Sequence, residues 1–306
     1  MNTTPSFTHT LRQRWQAADS MLCVGLDPDP ARIPAHLGTG PEAIDRFCRD
    51  IIAATADTVC AFKPQIAYFA AQGAEDVLAG LIAHIHAEHP GIPVILDAKR
   101  GDIGSTARQY GVEAFDRFKA DALTLSPFMG FDSIEPYFEW AGRGLILLCR
   151  TSNPGGNDLQ ALSVLPAGDT TGTPPGAQSP RQSASDTASS AQPEKLYEHL
   201  ARLAAGPWNV NGELGLVVGA TFPDELARTR ALAPRLPLLV PGVGAQGGDV
   251  NATVRAGLDA DGYGLVINSS RAILYAGKGT DFADQARKAA VATRDAIRAA
   301  RDAARA

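Results

Sequence analysis

Between positions 95 and 104 the chain reads Ile-Leu-Asp-Ala-Lys-Arg-Gly-Asp-Ile-Gly, so Asp97, Lys99 and Asp102 place two carboxylates and an ammonium within six residues. The stretch begins apolar and ends polar and glycine-bearing, the pattern of a buried strand opening into a loop. Asp97 and Lys99 are two apart and therefore share one side of a strand, with Ala98 packed behind them. Alone, Asp-x-Lys is as readily a surface ion pair. Two further charges alter that reading: Lys63 in Phe62-Lys63-Pro64-Gln65 and Asp27 in Gly25-Leu26-Asp27-Pro28, each closing another apolar run. Taken singly, these two would serve equally well as capping or surface groups. Charges withdrawn from water need partners, and an alternating Lys63, Asp97, Lys99, Asp102 array supplies them while keeping both lysines protonated. Such an array is a fixed electrostatic device, and an ammonium within it is a proton donor.

A second concentration of unusual residues lies later, in Pro241-Gly242-Val243-Gly244-Ala245-Gln246-Gly247-Gly248. Glycines at this density make a turn, and they also let backbone N–H groups approach an anion. Arg271, in Asn268-Ser269-Ser270-Arg271, adds a planar charged fork suited to a phosphate.

These residues sit at the ends of short apolar runs. Eight such runs, at 21–26, 59–63, 93–98, 122–126, 145–149, 214–220, 237–241 and 264–267, are each followed by a stretch of helical periodicity. Most lack period-two alternation, as strands buried on both faces should. Eight parallel strands alternating with helices predict a single α/β domain over 1–306, a closed (β/α)₈ TIM barrel whose active site lies at the C-terminal ends of its strands. The same elements could instead form an open doubly wound sheet. In a barrel, the loops after strands seven and eight are the usual phosphate cradle, which favours the functional reading of the glycines and Arg271. Residues 166–193 are dominated by Pro, Gly, Ser, Thr, Ala and Gln and are expected to form a disordered insertion between units five and six. The Ala-rich stretch 282–306 predicts a helix whose charges form a solvated face.

Composition narrows the partners. A formal net charge of −5 gives no broad cationic surface, so nucleic acid is not an expected partner and phosphate must be held by a few placed side chains. The four cysteines, Cys23, Cys48, Cys60 and Cys149, are scattered without a C-x-x-C pair and fit a reducing cytoplasm. A polar start and the lack of long apolar segments predict a protein that is neither exported nor embedded in a membrane. His84, His86 and His89 invite a metal reading, but no i, i+4 pair is present, and they precede Pro90-Gly91 at a predicted helix end.

The run Asp97-Ala98-Lys99-Arg100-Gly101-Asp102-Ile103-Gly104 resembles the D-x-K-x-x-D signature of the orotidine 5'-phosphate decarboxylases. Three further stretches match that family in order: Arg150-Thr151-Ser152-Asn153-Pro154-Gly155, the glycine-rich 241–248 and Asn268-Ser269-Ser270-Arg271. The longer-chain bacterial branch is the one resembled. Two departures are Ser105, where that branch often has Asn, and the insertion that lengthens the loop after Asp158. The resemblance implies a lyase that decarboxylates orotidine 5'-phosphate to UMP, the last step of pyrimidine nucleotide synthesis, without metal, flavin or pyridoxal cofactor. It implies Lys99 as proton donor, Asp97 beside the substrate carboxylate, and Asp27 and Lys63 at the ribose hydroxyls. Ser152 would meet the pyrimidine edge. Gln246 and Arg271 would hold the phosphate, and Pro241, Val243 and Ser270 would complete the substrate-binding loops. It also implies a homodimer in which Asp102, Ile103 and Thr106 enter the neighbour's site.

Two rivals remain at this point. Barrel sugar-phosphate lyases and synthases such as hexulose-phosphate synthase also carry D-x-K-x-x-D, but they bind magnesium and have an acidic residue where Lys63 stands. A non-catalytic phosphate-binding barrel is the other, and four buried charges kept for structure alone would be a costly way to build one.

Overall fold

The computed structural model describes residues 6–166, 192–243 and 248–306. Each apolar run becomes a strand, trimmed or extended by a few residues. These are β1 (Leu22–Leu26), β2 (Ala61–Pro64), β3 (Ile95–Arg100), β4 (Ala122–Leu125), β5 (Gly144–Arg150), β6 (Leu214–Val218), β7 (Leu238–Pro241) and β8 (Leu265–Ser269). Neighbours pair in parallel in the order β2-β1-β8-β7-β6-β5-β4-β3. The remaining gap, between β2 and β3, is spanned by two isolated parallel bridges, Phe62 to Val94 and Gln65 to Asp97. The open doubly wound alternative is therefore not adopted, and the chain forms a nearly closed (β/α)₈ barrel. Every residue of β1, β2, β4 and β6 is buried, which explains the missing alternation.

The helices supply the outer layer. They are α1 (Phe7–Ala18), α2 (Gly40–Thr55), α3 (Ile66–Ala70), α4 (Glu75–Glu88), α5 (Gly104–Gly111), α6 (Leu196–Ala205), α7 (Pro223–Leu232), α8 (Val250–Gly257), α9 (Arg271–Leu274) and α10 (Phe282–Arg305). In α2, Ala43, Ile44, Phe47, Cys48, Ile51 and Ile52 recur at the spacing of one helical face and are all buried. The first helix, α1, lies across the N-terminal end of the barrel. Phe7 N–H donates to Gly142 O at 2.8 Å and Thr8 N–H to Glu213 Oε2 at 2.9 Å, while Trp15 stacks on Tyr263. That end is sealed, and the C-terminal ends of the strands are left to bind a ligand.

The charges of α10 do more than face solvent. Arg287 pairs with Asp57, and Arg298 and Arg301 both pair with Asp19, the left-handed C-cap of α1. Arg301 is itself buried. The stretch expected to be disordered lies, apart from its edges, outside the described residues. Its base is closed by a short antiparallel pair, Ser163–Val164 against Glu194–Lys195. All four cysteines are free and buried. Among the described residues no helix is long and apolar enough to cross a membrane.

Candidate active site

Because the strands are parallel, their C-terminal residues converge at one mouth. Asp27 follows β1, Lys63 lies in β2, Asp97 and Lys99 in β3, and Ser152 follows β5. Pro241 to Val243 leave β7, and Ser270 and Arg271 leave β8. Two glycines allow the close approaches this requires. A Cβ on Gly25 would lie 1.9 Å from Ser270 Oγ, and one on Gly219 would lie 2.7 Å from the Ser152 backbone.

At the centre, Asp97 is held between two ammonium groups. Lys63 Nζ donates to Asp97 Oδ2 at 2.7 Å and Lys99 Nζ to Asp97 Oδ1 at 2.6 Å. Lys63 and Asp97 are 4% and 7% exposed, whereas the Lys99 side chain is 46% exposed and faces the mouth. Burial would push the Lys63 ammonium down, but the carboxylates of Asp97 and Asp27 outweigh it and hold Lys63 above the ordinary lysine range. Burial would likewise raise Asp97, yet the charges of Lys63 and Lys99 keep it well below the ordinary carboxylate range. The site therefore carries a fixed plus–minus–plus sequence at neutral pH. Beneath it, burial pushes the Cys23 thiol up to about 12, so that thiol stays neutral.

The expected four-charge array is three-membered within one chain. β3 ends at Arg100 and residues 101–103 lead on to α5, so Asp102 lies on the loop, where its Oδ1 accepts from Ile103 N–H at 2.8 Å. Asp102 forms no ion pair with Lys63 or Lys99 of its own chain. Ile103 and Thr106 lie exposed beside it, at the start of α5.

The mouth has two lobes. One, of about 500 Å³, is bounded by Lys63, Asp97, Lys99, Thr124 and Ser152, with Leu148, Val217 and Leu239 supplying apolar walls. The other, of about 180 Å³, is bounded by Asp27, Val243, Ser270 and the exposed Arg271. Lys63, Asp97 and Pro241 border both. Gln246 lies outside the described residues.

The contributions of four residues, Thr124, Asn268, Arg150 and Gln160, were not foreseen from sequence. Thr124 Oγ1 donates to Asp97 Oδ1 at 3.0 Å and accepts from the N–H groups of Ala98 and Lys99. Asn268 Oδ1 and Asp27 Oδ1 are both buried and have no hydrogen-bond partner among the described residues. Arg150, 1% exposed, is a loop anchor: it pairs with Glu225, donates to Asn157 and lies over the Phe222 ring at 4.1 Å. Gln160 Oε1 accepts from Thr151 N–H at 2.8 Å, so the segment presenting Ser152 is braced from behind. Asn268 and Arg150 stood inside recognised motifs, but their partners are tertiary and left no local signal. The histidine cluster is remote from the mouth, with His86 Nε2 hydrogen-bonded at 2.8 Å to Asp121, just before β4.

Comparison with known proteins agrees with this geometry. The profile of the orotidine 5'-phosphate decarboxylase / HUMPS family matches residues 20–172. The chain is 62% identical over 295 residues to the orotidine 5'-phosphate decarboxylase of Azoarcus sp. (strain BH72), covering 96% of this chain and 99% of that protein. It is 60% identical over 292 residues to the enzyme of that name from Dechloromonas aromatica (strain RCB), covering 95% and 98%. Among solved structures, the Leishmania donovani OMP decarboxylase superposes with a TM-score of 0.76 at 39% identity, over 97% of this chain and 99% of that one. A match over nearly the whole of relatives this similar, together with the charged array at the barrel mouth, decides the matter: the chain belongs to the orotidine 5'-phosphate decarboxylase / HUMPS family.

Proposed function

We propose that this chain decarboxylates orotidine 5'-phosphate to UMP and CO₂, and that Lys99 is the proton donor. The observation that carries the reading is the Lys63–Asp97–Lys99 ion-pair chain, buried at one end and open to the larger lobe at the other. When the C6–carboxylate bond breaks, its electron pair stays in the ring plane, where the π system cannot disperse it. An ammonium beside C6 stabilises that charge and then gives it a proton, leaving a neutral amine that solvent reprotonates. Asp97, kept ionised by its two lysines, holds the Lys99 ammonium in place and would lie close to the departing carboxylate.

The lobes divide the substrate between them. The larger, with apolar walls and Ser152, suits the pyrimidine. The smaller suits ribose and phosphate: the acceptors Asp27 Oδ1 and Asn268 Oδ1, without partners among the described residues, call for O–H donors, which a ribose supplies, and Lys63 lies between the lobes. Arg271, with Gln246 and the backbone around Val243 and Ser270, would take the phosphate. Its binding energy, far from C6, is available to hold the loops over the reacting carbon. Asp102, which stands apart from the array of its own chain, would with Ile103 and Thr106 reach the site of a second copy, making the active form a homodimer. A site in the cytoplasm, where nucleotides are made, accompanies this reading.

The magnesium-dependent branch chemistry fits less well. Lys63 is fully cationic and already engaged with Asp97 at the strand-two position, where it would repel a divalent ion. A spectrophotometric assay with orotidine 5'-phosphate, with and without EDTA, tests the proposal. Turnover to UMP undiminished by chelation is expected. No turnover, or turnover abolished by EDTA and restored by magnesium, would reject it.

A further inference from the structure

Opposite Thr124 the β3–β4 ladder loses its one-to-one register. Leu96 pairs with Leu123 and Arg100 with Leu125, so Asp97, Ala98 and Lys99 together face Thr124. A bulge of this kind leaves backbone amides without ladder acceptors. Here the N–H groups of Ala98 and Lys99 both turn onto Thr124 Oγ1, at 3.0 and 2.9 Å. The same bulge bends Lys99 to a φ of 48°, a left-handed conformation that a lysine keeps only when its surroundings hold it there.

A hydroxyl has one proton and two lone pairs. With both lone pairs taken by the two amides, the proton has one direction left, toward Asp97 Oδ1 at 3.0 Å. That oxygen is the one that receives the Lys99 ammonium. Thr124 is 1% exposed, so water does not compete for any of these bonds. One side chain thus fixes both ends of the Lys99 arrangement: the backbone from which the lysine springs and the carboxylate oxygen on which its ammonium rests.

We propose that Thr124 is a positioning residue for the decarboxylation, its hydroxyl locking the bulge that aims Lys99. The inference rests on Lys99 being the proton donor, as argued above. Thr124→Val keeps the branched shape and removes the hydroxyl, whereas Thr124→Ser keeps the hydroxyl. For Thr124→Val, kcat should fall about 100-fold, the loss a misplacement of about 1 Å produces. KM for orotidine 5'-phosphate and Kd for UMP, measured by calorimetry, should stay within about threefold, because the grip on ribose and phosphate is untouched. Thr124→Ser should retain kcat within about fivefold of wild type. A valine variant with near-normal kcat, or a serine variant as slow as the valine one, overturns the proposal. So does a loss of UMP affinity in step with kcat, which would mark Thr124 as general packing. If the valine variant does not fold, Thr124→Ala against Thr124→Ser makes the same comparison. Lys99→Ala is measured alongside: an active Lys99→Ala enzyme would remove the premise, whereas an inactive one beside a fast Thr124→Val would remove only the role of Thr124.

Discussion

Asp97→Asn keeps the shape of the side chain at the centre of the site and deletes the charge on which two lysines rest. At an effective dielectric of about 20, two unit charges 2.7 Å apart, the Lys63–Asp97 spacing, attract by about 6 kcal/mol before desolvation is counted. Desolvation reduces the net value of such a pair, but removing Asp97 leaves Lys63 buried with mainly Asp27 to offset it, and breaking a buried pair in this way costs about 3–5 kcal/mol. The bond to Lys99 adds little to this sum, because a side chain 46% exposed is screened by water. At roughly 2 °C per kcal/mol for a chain of this size, the melting temperature at pH 7 should fall by about 6–10 °C. Thermal unfolding followed by circular dichroism measures it. A variant melting within about 2 °C of wild type would refute the claim that Lys63 depends on Asp97 for its burial.

The same variant carries a pH signature. An unfolded lysine titrates near about 10.4. In the wild type Lys63 is raised above this, so its contribution to stability is complete below the unfolded value and is lost only as pH climbs through the folded one. In Asp97→Asn, burial, the strongest influence on Lys63 and one that disfavours charge, is opposed mainly by Asp27. The folded value then drops below the unfolded one, the unfolded chain binds more protons across that window, and the variant gains stability as pH rises. The melting-temperature gap between variant and wild type should therefore narrow from pH 7 to about 9.5. A gap that stays constant or widens would mean Lys63 remains charged without Asp97.

Lys99→Ala should abolish decarboxylation while leaving UMP binding largely intact; more than a small residual turnover would reassign the proton donor. Arg271→Ala should lower kcat/KM mainly through KM, since the phosphate contact proposed for it would be made throughout the reaction, and a normal KM would put the phosphate elsewhere. Mixing inactive Lys99→Ala and inactive Asp102→Ala subunits should restore activity, because in the proposed homodimer one site of each mixed pair would carry neither lesion. Mixtures that stay inactive despite demonstrated subunit exchange would confine Asp102 to its own chain.

The barrel was legible because parallel strands buried on both faces must be apolar throughout, and eight such runs separated by helical periods admit few arrangements. Lys63, Asp97 and Lys99 were legible as charges closing apolar runs, where burial demands partners. The bulge in β3 was not. Nothing in Leu-Asp-Ala-Lys-Arg distinguishes a regular strand from one with three residues facing a single partner, because register belongs to the pair of strands. For the same reason Thr124 reads in sequence as an ordinary β-branched strand residue, although it is hydrogen-bonded to both Asp97 and Lys99. Arg301 and Arg298 look like the polar face of α10 until the fold brings Asp19 beneath them. Asp102 was drawn into the array by proximity in sequence, but the strand ends at Arg100 and leaves it on the loop beyond.

The distribution of burial across the site separates two jobs that the proposed chemistry, a carbanion localised in the ring plane, asks of the protein. Charge that stabilises a localised carbanion is effective only if it is already in place, since reorienting it during the reaction would cost what it contributes. Lys63, Asp97 and Thr124 meet that demand: they lie on strands, almost without exposure, and bond to one another. Gripping the substrate asks for the opposite, groups that can open to admit it, and Ser152 and Arg271, assigned to that task above, lie beyond the strand ends with greater exposure. Lys99 stands at the boundary, its backbone locked by Thr124 and its ammonium half open to the larger lobe. Substitutions should therefore divide by location, those among the strand residues acting on kcat and those in the loops first on KM. Lys99 belongs with the strands because its reach is set by the bulge beneath it.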